Sequence, residues 1–140
     1  KTELSRDVFC LVCPQGHPLA RKRPLRWRDL DGCDLVMLDR QTGSRALIDA
    51  VLHEMGISVR PVQEMSRPES VTALVAAGMG VAVLPELAAP GDHDGGLITR
   101  RLTDPTAFRR MVMIHASGSA LNGAAAMAAG LLTQAVKGRG

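Results

Sequence analysis

The chain has 140 residues, of which 46% are hydrophobic and 22% charged, and its formal net charge is +3. These proportions are typical of a soluble globular protein and exclude a disordered chain. A dispersed charge of this size does not by itself indicate nucleic-acid binding. With one tryptophan, two phenylalanines and no tyrosine, a ligand pocket must depend on hydroxyls, backbone amides and arginine.

The chain has three cysteines, Cys10, Cys13 and Cys33, which is an odd number, and no signal peptide is visible in the sequence. We therefore predict reduced thiols rather than a disulfide framework. With His17 they could form a Cys3His zinc site. However, residues three apart in a strand point to opposite faces, so we predict buried packing thiols and no metal ion. The start at Lys1 without methionine suggests a fragment of a larger cytoplasmic protein.

The first half of the chain alternates strand and helix patterns. Apolar runs predict strands over Val8 to Cys13, Asp34 to Leu38 and Val59 to Met65. A short helix is expected at Pro24 to Leu30, and a longer helix at Ser44 to Met55. The apolar side chains expected on one face of the longer helix are Leu47, Ile48, Val51, Leu52 and Met55. This alternation predicts an α/β fold with a mostly parallel sheet.

The next stretch predicts a helix that turns directly into a buried strand. Ser66 and Glu69 have the spacing of a capping box at the helix start. Gly78 supplies a left-handed stop at its end. Val81 to Leu84 is a continuous apolar run, typical of a strand covered on both faces, and Pro85 ends that strand.

Beyond this point the composition changes. Ala88 to Gly96, rich in glycine and aspartate, predicts a loop and a lobe boundary. Leu97 to Leu102 and Met111 to His115 predict strands, and a small-residue helix is expected at about Asn122 to Val136. Two strands and one helix cannot close a core, so they either pack on the first lobe or form the tail of a second. The uncharged run from Ala120 is too short and polar to span a membrane.

Two turns between a strand and a helix are the candidate binding site, because ligands of open α/β sheets bind beyond the carboxyl ends of the strands. The first turn offers hydroxyls, a glycine and a charge, at Thr42, Gly43, Ser44 and Arg45. The second offers Ser66, Arg67 and Glu69. Both are expected to face one crevice that suits an anionic small molecule. The alternative is that Thr42 or Ser44, and Ser66, only cap helices.

Enzyme and DNA-reading functions find little support. The chain has no G-x-S-x-G motif, and its histidines are scattered, which favours structural or solvent-exposed roles for them. Gly78 and Gly80 follow a helix, the reverse of the order in a dinucleotide fingerprint. The basic run Arg21 to Arg23 is either a phosphate patch or a solvated turn. No predicted helix is both basic and amphipathic enough to enter a major groove.

Four segments, in this order and spacing, resemble the effector-binding domain of LysR-type transcriptional regulators. They are Val12 to Ala20, Trp27 to Leu30, Thr42 to Arg45 and Leu74 to Pro85. The resemblance covers nearly the whole chain. It implies a periplasmic-binding-protein-like (type 2) α/β fold of two lobes, with a small-molecule inducer in the cleft between them. It also implies self-association as a dimer or tetramer, and promoter DNA bound by an N-terminal winged helix-turn-helix that this chain lacks.

The resemblance further implies which residues have which role. Hinge crossings are expected near Leu4 and near Leu84 and Pro85. Residues 1–87 would form the second lobe with hinge strands at its ends, and residues 88–140 the C-terminal part of an incomplete first lobe. The effector would contact the two turns described above, and no cofactor or metal is expected.

Two expectations follow for the whole protein. Because Leu97 to Leu102 and Met111 to His115 would normally pack on strands encoded upstream, we expect an uncovered apolar face. We also expect self-association, by exchange of the segment from Leu97 to Gly140 between two copies. A cytoplasmic regulatory module, without membrane attachment, is the favoured function. The alternative is a periplasmic-type solute-binding protein of a transport system, which would need export.

Overall fold

The computed structural model describes residues 2–91 and 94–113. Its contacts divide the chain into two compact units. The larger unit is Val8–Arg109, and the described part of the smaller one comprises residues 2–7 and 110–113. The helix expected at Asn122 to Val136 and the histidines His93 and His115 lie outside the described residues.

Six strands and two α-helices make up the regular structure of the described residues. The strands are β1 (Thr2–Pro14), β2 (Asp34–Leu38), β3 (Arg60–Met65), β4 (Ala82–Pro85), β5 (Leu97–Arg101) and β6 (Phe108–Met113). The α-helices are α1 (Gly43–Glu54) and α2 (Pro68–Ala76). Short 3₁₀ helices cover Pro18–Arg21, Trp27–Leu30, Glu86–Ala88 and Asp94–Gly96. The strand predicted at Asp34 to Leu38 is confirmed with the same bounds.

The helix expected at Pro24 to Leu30 is shorter than predicted, because it begins only at Trp27. Its start is set by a local hydrogen bond, in which the Arg26 backbone N–H donates to Asp29 Oδ2 at 2.8 Å. The carboxylate of Asp29 therefore caps a single turn instead of lying inside a longer helix.

The described strands form two sheets, one of β4, β1, β5 and β6 and one of β2 and β3, rather than one mostly parallel sheet. β2 and β3 are parallel, and one parallel bridge joins Leu35 to Val81. β1, however, pairs antiparallel with β4 on one side and with β5 on the other, and β6 also pairs with β1. The expectation of a mostly parallel sheet is therefore wrong for β1, β4 and β5. Local periodicity does not reveal which distant strand becomes a neighbour.

Two apolar clusters cover opposite faces of these strands. In β4, Val83 belongs to one cluster and Leu84 to the other. β1 alternates in the same way, with Leu11 in the first cluster and Val12 in the second. The predicted burial of the Val81 to Leu84 run on both faces is thus confirmed.

The end of α2 follows the prediction closely. Gly78 has a φ of +86°, in the left-handed region. Its N–H donates to the Val75 carbonyl at 3.0 Å, and the Met79 N–H donates to the Leu74 carbonyl at 3.1 Å. These two bonds are those of a Schellman motif, so Gly78 is confirmed as the helix stop.

Gly80 has a role that the sequence did not reveal. A Cβ at this position would lie 2.6 Å from the Asp34 carbonyl oxygen. That oxygen accepts a hydrogen bond from the Val81 N–H at 3.0 Å. Glycine is therefore required where the turn after α2 passes against β2.

The apolar face of α1 is narrower than predicted. Ile48 and Leu52 are buried, but Leu47 is 42% exposed, and Val51 and Met55 are half-buried. Within residues 2–91 and 94–113, no helix has the length and apolar character needed to cross a membrane.

The strand after the loop, β5, does not leave an apolar face uncovered. It pairs with residues Cys10 to Pro14 of β1, and Leu97, Ile98 and Leu102 are buried. The expectation of an uncovered face is wrong for this segment, because the second edge of β1 accepts β5. By contacts, Leu97–Arg101 belongs with the residues before the loop. The assignment of residues 1–87 and 88–140 to two lobes stays a prediction.

Candidate functional site

The two candidate turns lie side by side. Leu38 and Met65, the last residues of the parallel strands β2 and β3, are in register. Beyond them, the Asp39 N–H donates to the Met65 carbonyl at 2.9 Å. The helices α1 and α2 therefore begin at the same edge of the sheet, as expected for consecutive crossovers.

Thr42 closes the first turn through its hydroxyl. Its Oγ1 accepts from the Arg45 N–H at 3.2 Å and donates to the Asp39 carbonyl at 2.9 Å. The capping role that the sequence left open is thus confirmed for Thr42. The N–H groups of Gly43 and Ser44, in the first turn of α1, have no acceptor within the helix. Together with the helix dipole, they can receive an anion.

Arg45 is buried and fully engaged within the protein. Its Nε donates to Asp49 Oδ1 at 2.9 Å, and its Nη1 donates to the Leu38 carbonyl at 2.9 Å and to Glu64 Oε1 at 3.0 Å. Burial acts to lower the pKa of Arg45, but the hydrogen bonds that its guanidinium donates to Asp49 and Glu64 outweigh burial and raise the pKa above its ordinary value. The Arg45 side chain therefore links the first turn to β3. Its guanidinium is already hydrogen-bonded within the protein and is not available as a free cation for a ligand.

A second arginine, Arg109, lies beside the first candidate turn, and the sequence analysis did not predict it as a site residue. Arg109 in β6 has its Nη1 3.5 Å from the Oγ of Ser44, which is 7% exposed. No local pattern connects these two residues, because they are brought together only by the fold. In the sequence, the feature that could have drawn attention to Arg109 is the Arg109-Arg110 pair at the start of an apolar run. The Arg109 guanidinium therefore lies beside the Ser44 side chain in the first turn of α1.

The second turn presents exposed side chains. Helix α2 begins at Pro68, and its N-cap is Arg67, which makes no side-chain capping bond. The capping box predicted from Ser66 and Glu69 is wrong, because Ser66 precedes the N-cap by one residue. The Arg67 carbonyl accepts from the N–H groups of Ser70 and Val71. In the described part of the chain, the side chains of Ser66, Arg67 and Glu69 form no hydrogen bond or ion pair with another residue.

The predicted hinge residues lie in regular strands. Leu4 is a buried residue of β1, in the unit that contains residues 2–7. Leu84 and Pro85 are buried in β4, opposite Cys10 and Phe9 of β1. Their role as hinges stays a prediction.

The cysteines are at least partly buried, and His17 caps a 3₁₀ helix, so these residues contribute to the fold. Cys10 and Cys13 are buried, as predicted, and Cys33 is half-buried. Burial raises the pKa of the Cys13 thiol to about 11, although Arg100 acts in the opposite direction. His17 Nδ1 accepts from the Leu19 N–H at 3.1 Å and so caps a 3₁₀ helix. Among residues 2–91 and 94–113, no three potential ligands lie close enough together to hold a metal ion.

Comparison with known proteins connects this geometry to a family. The family model described as the LysR substrate binding domain matches residues 1–137. An uncharacterized HTH-type transcriptional regulator of Shigella flexneri, YfeR, is 37% identical over 119 residues, which are 85% of this chain and 38% of that protein. The chain spans about two fifths of the length of such curated relatives.

Solved structures of low identity share the fold. The regulatory domain of CcmR from Synechocystis PCC6803, in complex with 2-PG, has a TM-score of 0.78 at 21% identity and covers 96% of this chain and 65% of that one. The effector binding domain of QuiR, in complex with shikimate, has a TM-score of 0.76 at 18% identity and covers 97% and 64%. The chain therefore belongs to the LysR substrate-binding domain family, as the resemblance of its four segments predicted.

Proposed function

We propose that this chain senses a small anionic effector at the two adjacent turns and thereby controls transcription by a longer LysR-type regulator. The observation that carries the proposal is that the Arg109 guanidinium lies beside the Ser44 side chain at the start of α1, where the N–H groups of Gly43 and Ser44 have no acceptor within the helix. A backbone anion site beside a cation suits a carboxylate or phosphate group. The complexes of CcmR with 2-PG and of QuiR with shikimate show that domains of this fold hold small molecules.

The residues of the two turns, together with Arg109, would have different roles in effector binding. Gly43 and Ser44 would donate backbone hydrogen bonds to the anionic group, and Arg109 would supply charge. Arg45 would act as a positioning residue, because it joins the turn to β3. The exposed side chains at the second turn, those of Ser66, Arg67 and Glu69, would contact the rest of the effector.

The proposal extends to the longer protein. Promoter DNA would be contacted by a part of the regulator other than these 140 residues, which is consistent with relatives named as HTH-type regulators. We also propose that the regulator self-associates as a dimer or tetramer and acts in the cytoplasm. The family match disfavours the alternative of a solute-binding protein for transport.

The test uses the intact regulator and a panel of small carboxylates and phosphate esters, screened by thermal shift and then by calorimetric titration. For the effector found, Arg109→Gln is expected to weaken binding by roughly 1.5–3 kcal/mol, because it removes the charge. Ser44→Ala keeps the backbone N–H but removes the hydroxyl that lies 3.5 Å from Arg109 Nη1, so a smaller loss of roughly 0.5–1.5 kcal/mol is expected. Arg60→Gln is the control, because Arg60 is an exposed residue paired with Asp34 at the other end of the sheet. Unchanged affinity in both Ser44→Ala and Arg109→Gln would remove the first turn from the site.

A further inference from the structure

A cavity of about 270 Å³ opens at the carboxyl end of β1. It is lined by Gln15, Ala20, Arg21, Ile98 and Arg100. Two of these five residues are arginines, and none is acidic. The volume lies just below the usual range for ligand pockets, about 300–1,000 Å³, so the cavity suits only a small ligand.

One of the two arginines is held in place by the protein. Arg100 Nε donates to the Ala20 carbonyl at 2.9 Å, which orients the guanidinium and leaves its two Nη groups without a partner among the described residues. The Arg21 side chain, part of the basic run noted in the sequence, is exposed and makes no hydrogen bond or ion pair with a described residue. The neighbouring Lys22 forms an ion pair with Asp29, whereas neither arginine has a carboxylate partner among the described residues.

This cavity is separate from the candidate turns. In β1, Phe9 pairs with Pro85 at the end of β4, whereas Pro14 pairs with Leu97 at the start of β5. β4 is parallel to β2, through the bridge at Leu35, so the turns follow the carboxyl ends of β2 and β3 while the cavity lies at the opposite edge. A ligand in the cavity would not occupy the proposed effector site.

We propose that this cavity, the arginine pocket, binds a dianionic phosphate group, either as free phosphate or on a small phosphomonoester. Two guanidinium groups without an acidic neighbour favour a ligand with two negative charges, and a planar guanidinium can donate two parallel hydrogen bonds to phosphate oxygens. Arg100 is already oriented, which lowers the entropy lost on binding. Ile98 and Ala20 provide an apolar wall for a short carbon chain.

The experiment is an NMR titration of the 140-residue chain with inorganic phosphate and, separately, with glycerol 3-phosphate, at constant ionic strength set by sodium chloride. We expect saturable shifts of the backbone N–H signals of Gln15, Arg21 and Arg100. Arg21→Gln removes no internal contact and is expected to weaken binding about 3- to 10-fold. Arg40→Gln, an exposed arginine at the other edge of the sheet, is the charge-matched control and is expected to leave the affinity unchanged.

The outcomes are distinct. Tighter binding of glycerol 3-phosphate than of phosphate identifies a phosphomonoester as the ligand, and equal binding identifies free phosphate, so both support the pocket. The proposal is overturned if chloride alone reproduces the shifts, if they are confined to Gly43 and Ser44, or if Arg21→Gln binds as tightly as Arg40→Gln.

Discussion

Arg45 is a charged residue whose contacts serve the fold rather than a ligand. Its guanidinium bridges the Leu38 carbonyl and the carboxylates of Asp49 and Glu64 from a buried position. Only one end of each ion pair is buried, because both carboxylates are partly exposed. If Arg45 is replaced, the carboxylates of Asp49 and Glu64 can still be solvated by water. Most of the loss in folding stability therefore comes from the buried hydrogen bonds that Arg45 donates.

We predict that Arg45→Gln lowers the free energy of unfolding by about 1–3 kcal/mol, because it removes charge-assisted buried hydrogen bonds. Urea unfolding of the purified chain measures this change. Arg60→Gln breaks an exposed ion pair with Asp34 and is expected to cost at most about 1 kcal/mol. Equal effects of the two substitutions would show that the buried network adds nothing beyond a surface ion pair.

Gly80 gives a second prediction at this scale. A methyl group there would meet the Asp34 backbone oxygen, which cannot move without disturbing β2. Gly80→Ala should destabilise the fold by about 1–3 kcal/mol. Gly16→Ala is the matched control, since a Cβ at Gly16 has no atom within 4 Å. A Gly80→Ala variant with the melting temperature of the control would contradict the close approach.

The three thiols are expected to differ in reactivity. Cys13 is fully buried, and burial raises its pKa to about 11, so its thiol stays protonated at pH 8. Burial, followed by the nearby aspartates, also raises the pKa of Cys33, but this residue is half-buried and can be reached. Iodoacetamide should therefore label Cys33 before Cys13, as followed by peptide mass spectrometry. Rapid labelling of Cys13 in a folded Cys33→Ser variant would show that β1 opens.

At the scale of elements, Asp29 links a short helix to the pH dependence of stability. Burial acts to raise the pKa of Asp29, but hydrogen bonds from the Lys22 side chain and the Arg26 backbone outweigh it and hold the pKa below its ordinary value. The unfolded chain therefore binds a proton at a higher pH than the folded chain does. The stabilisation is present above about pH 3.9, the ordinary pKa of aspartate, and is lost as the pH falls through the folded pKa.

We predict that the stability difference between the wild type and Asp29→Asn is largest at neutral pH and becomes smaller as the pH falls below about 3.9. Urea unfolding at pH 7, 5 and 3 measures it. Asp104→Asn, at an exposed position, is the control and should leave the pH dependence unchanged. A constant difference across this pH range would contradict the role of the Asp29 carboxylate.

The arrangement of whole strands determines how the molecule can be divided. β1 pairs with β4 and with β5, and its residue Phe9 also donates its N–H to the Ala107 carbonyl. The contacts therefore favour a unit of Val8–Arg109 over one that ends at residue 87. A boundary inside the loop at Ala88 to Gly96 would separate β5 from β1 and leave one edge of β1 without its partner strand.

We predict that a chain of residues 8–109 gives a cooperative thermal transition and that a chain of residues 1–87 does not. The second fragment loses the buried Leu97, Ile98 and Leu102 and exposes a strand edge, which favours aggregation. Circular dichroism melts and sedimentation of both fragments provide the measurement. A cooperative, monomeric 1–87 fragment would restore the lobe boundary at residue 87.

Elements with a local cause were predictable from the sequence. Asp34–Leu38 and the stop of α2 at Gly78 follow from apolar runs and from the left-handed conformation that glycine allows. The first candidate turn was also found, because it links a predicted strand to a predicted helix. The capping box at Ser66 was misplaced by one residue, since Pro68 also fits the first helical position and the spacing alone does not decide between the two starts.

The sequence by itself determined the family, the alternation of strands and helices, and the location of the two turns, because each depends on residues close together in the chain. Only the tertiary structure decided that β5 pairs with β1. It also decided that the Arg45 guanidinium donates its hydrogen bonds to Asp49 and Glu64, and that the Arg109 guanidinium lies beside Ser44. It also showed that Gly80 lies against Asp34. Such contacts join residues far apart in sequence, and their energies depend on distance and burial, which local periodicity does not encode.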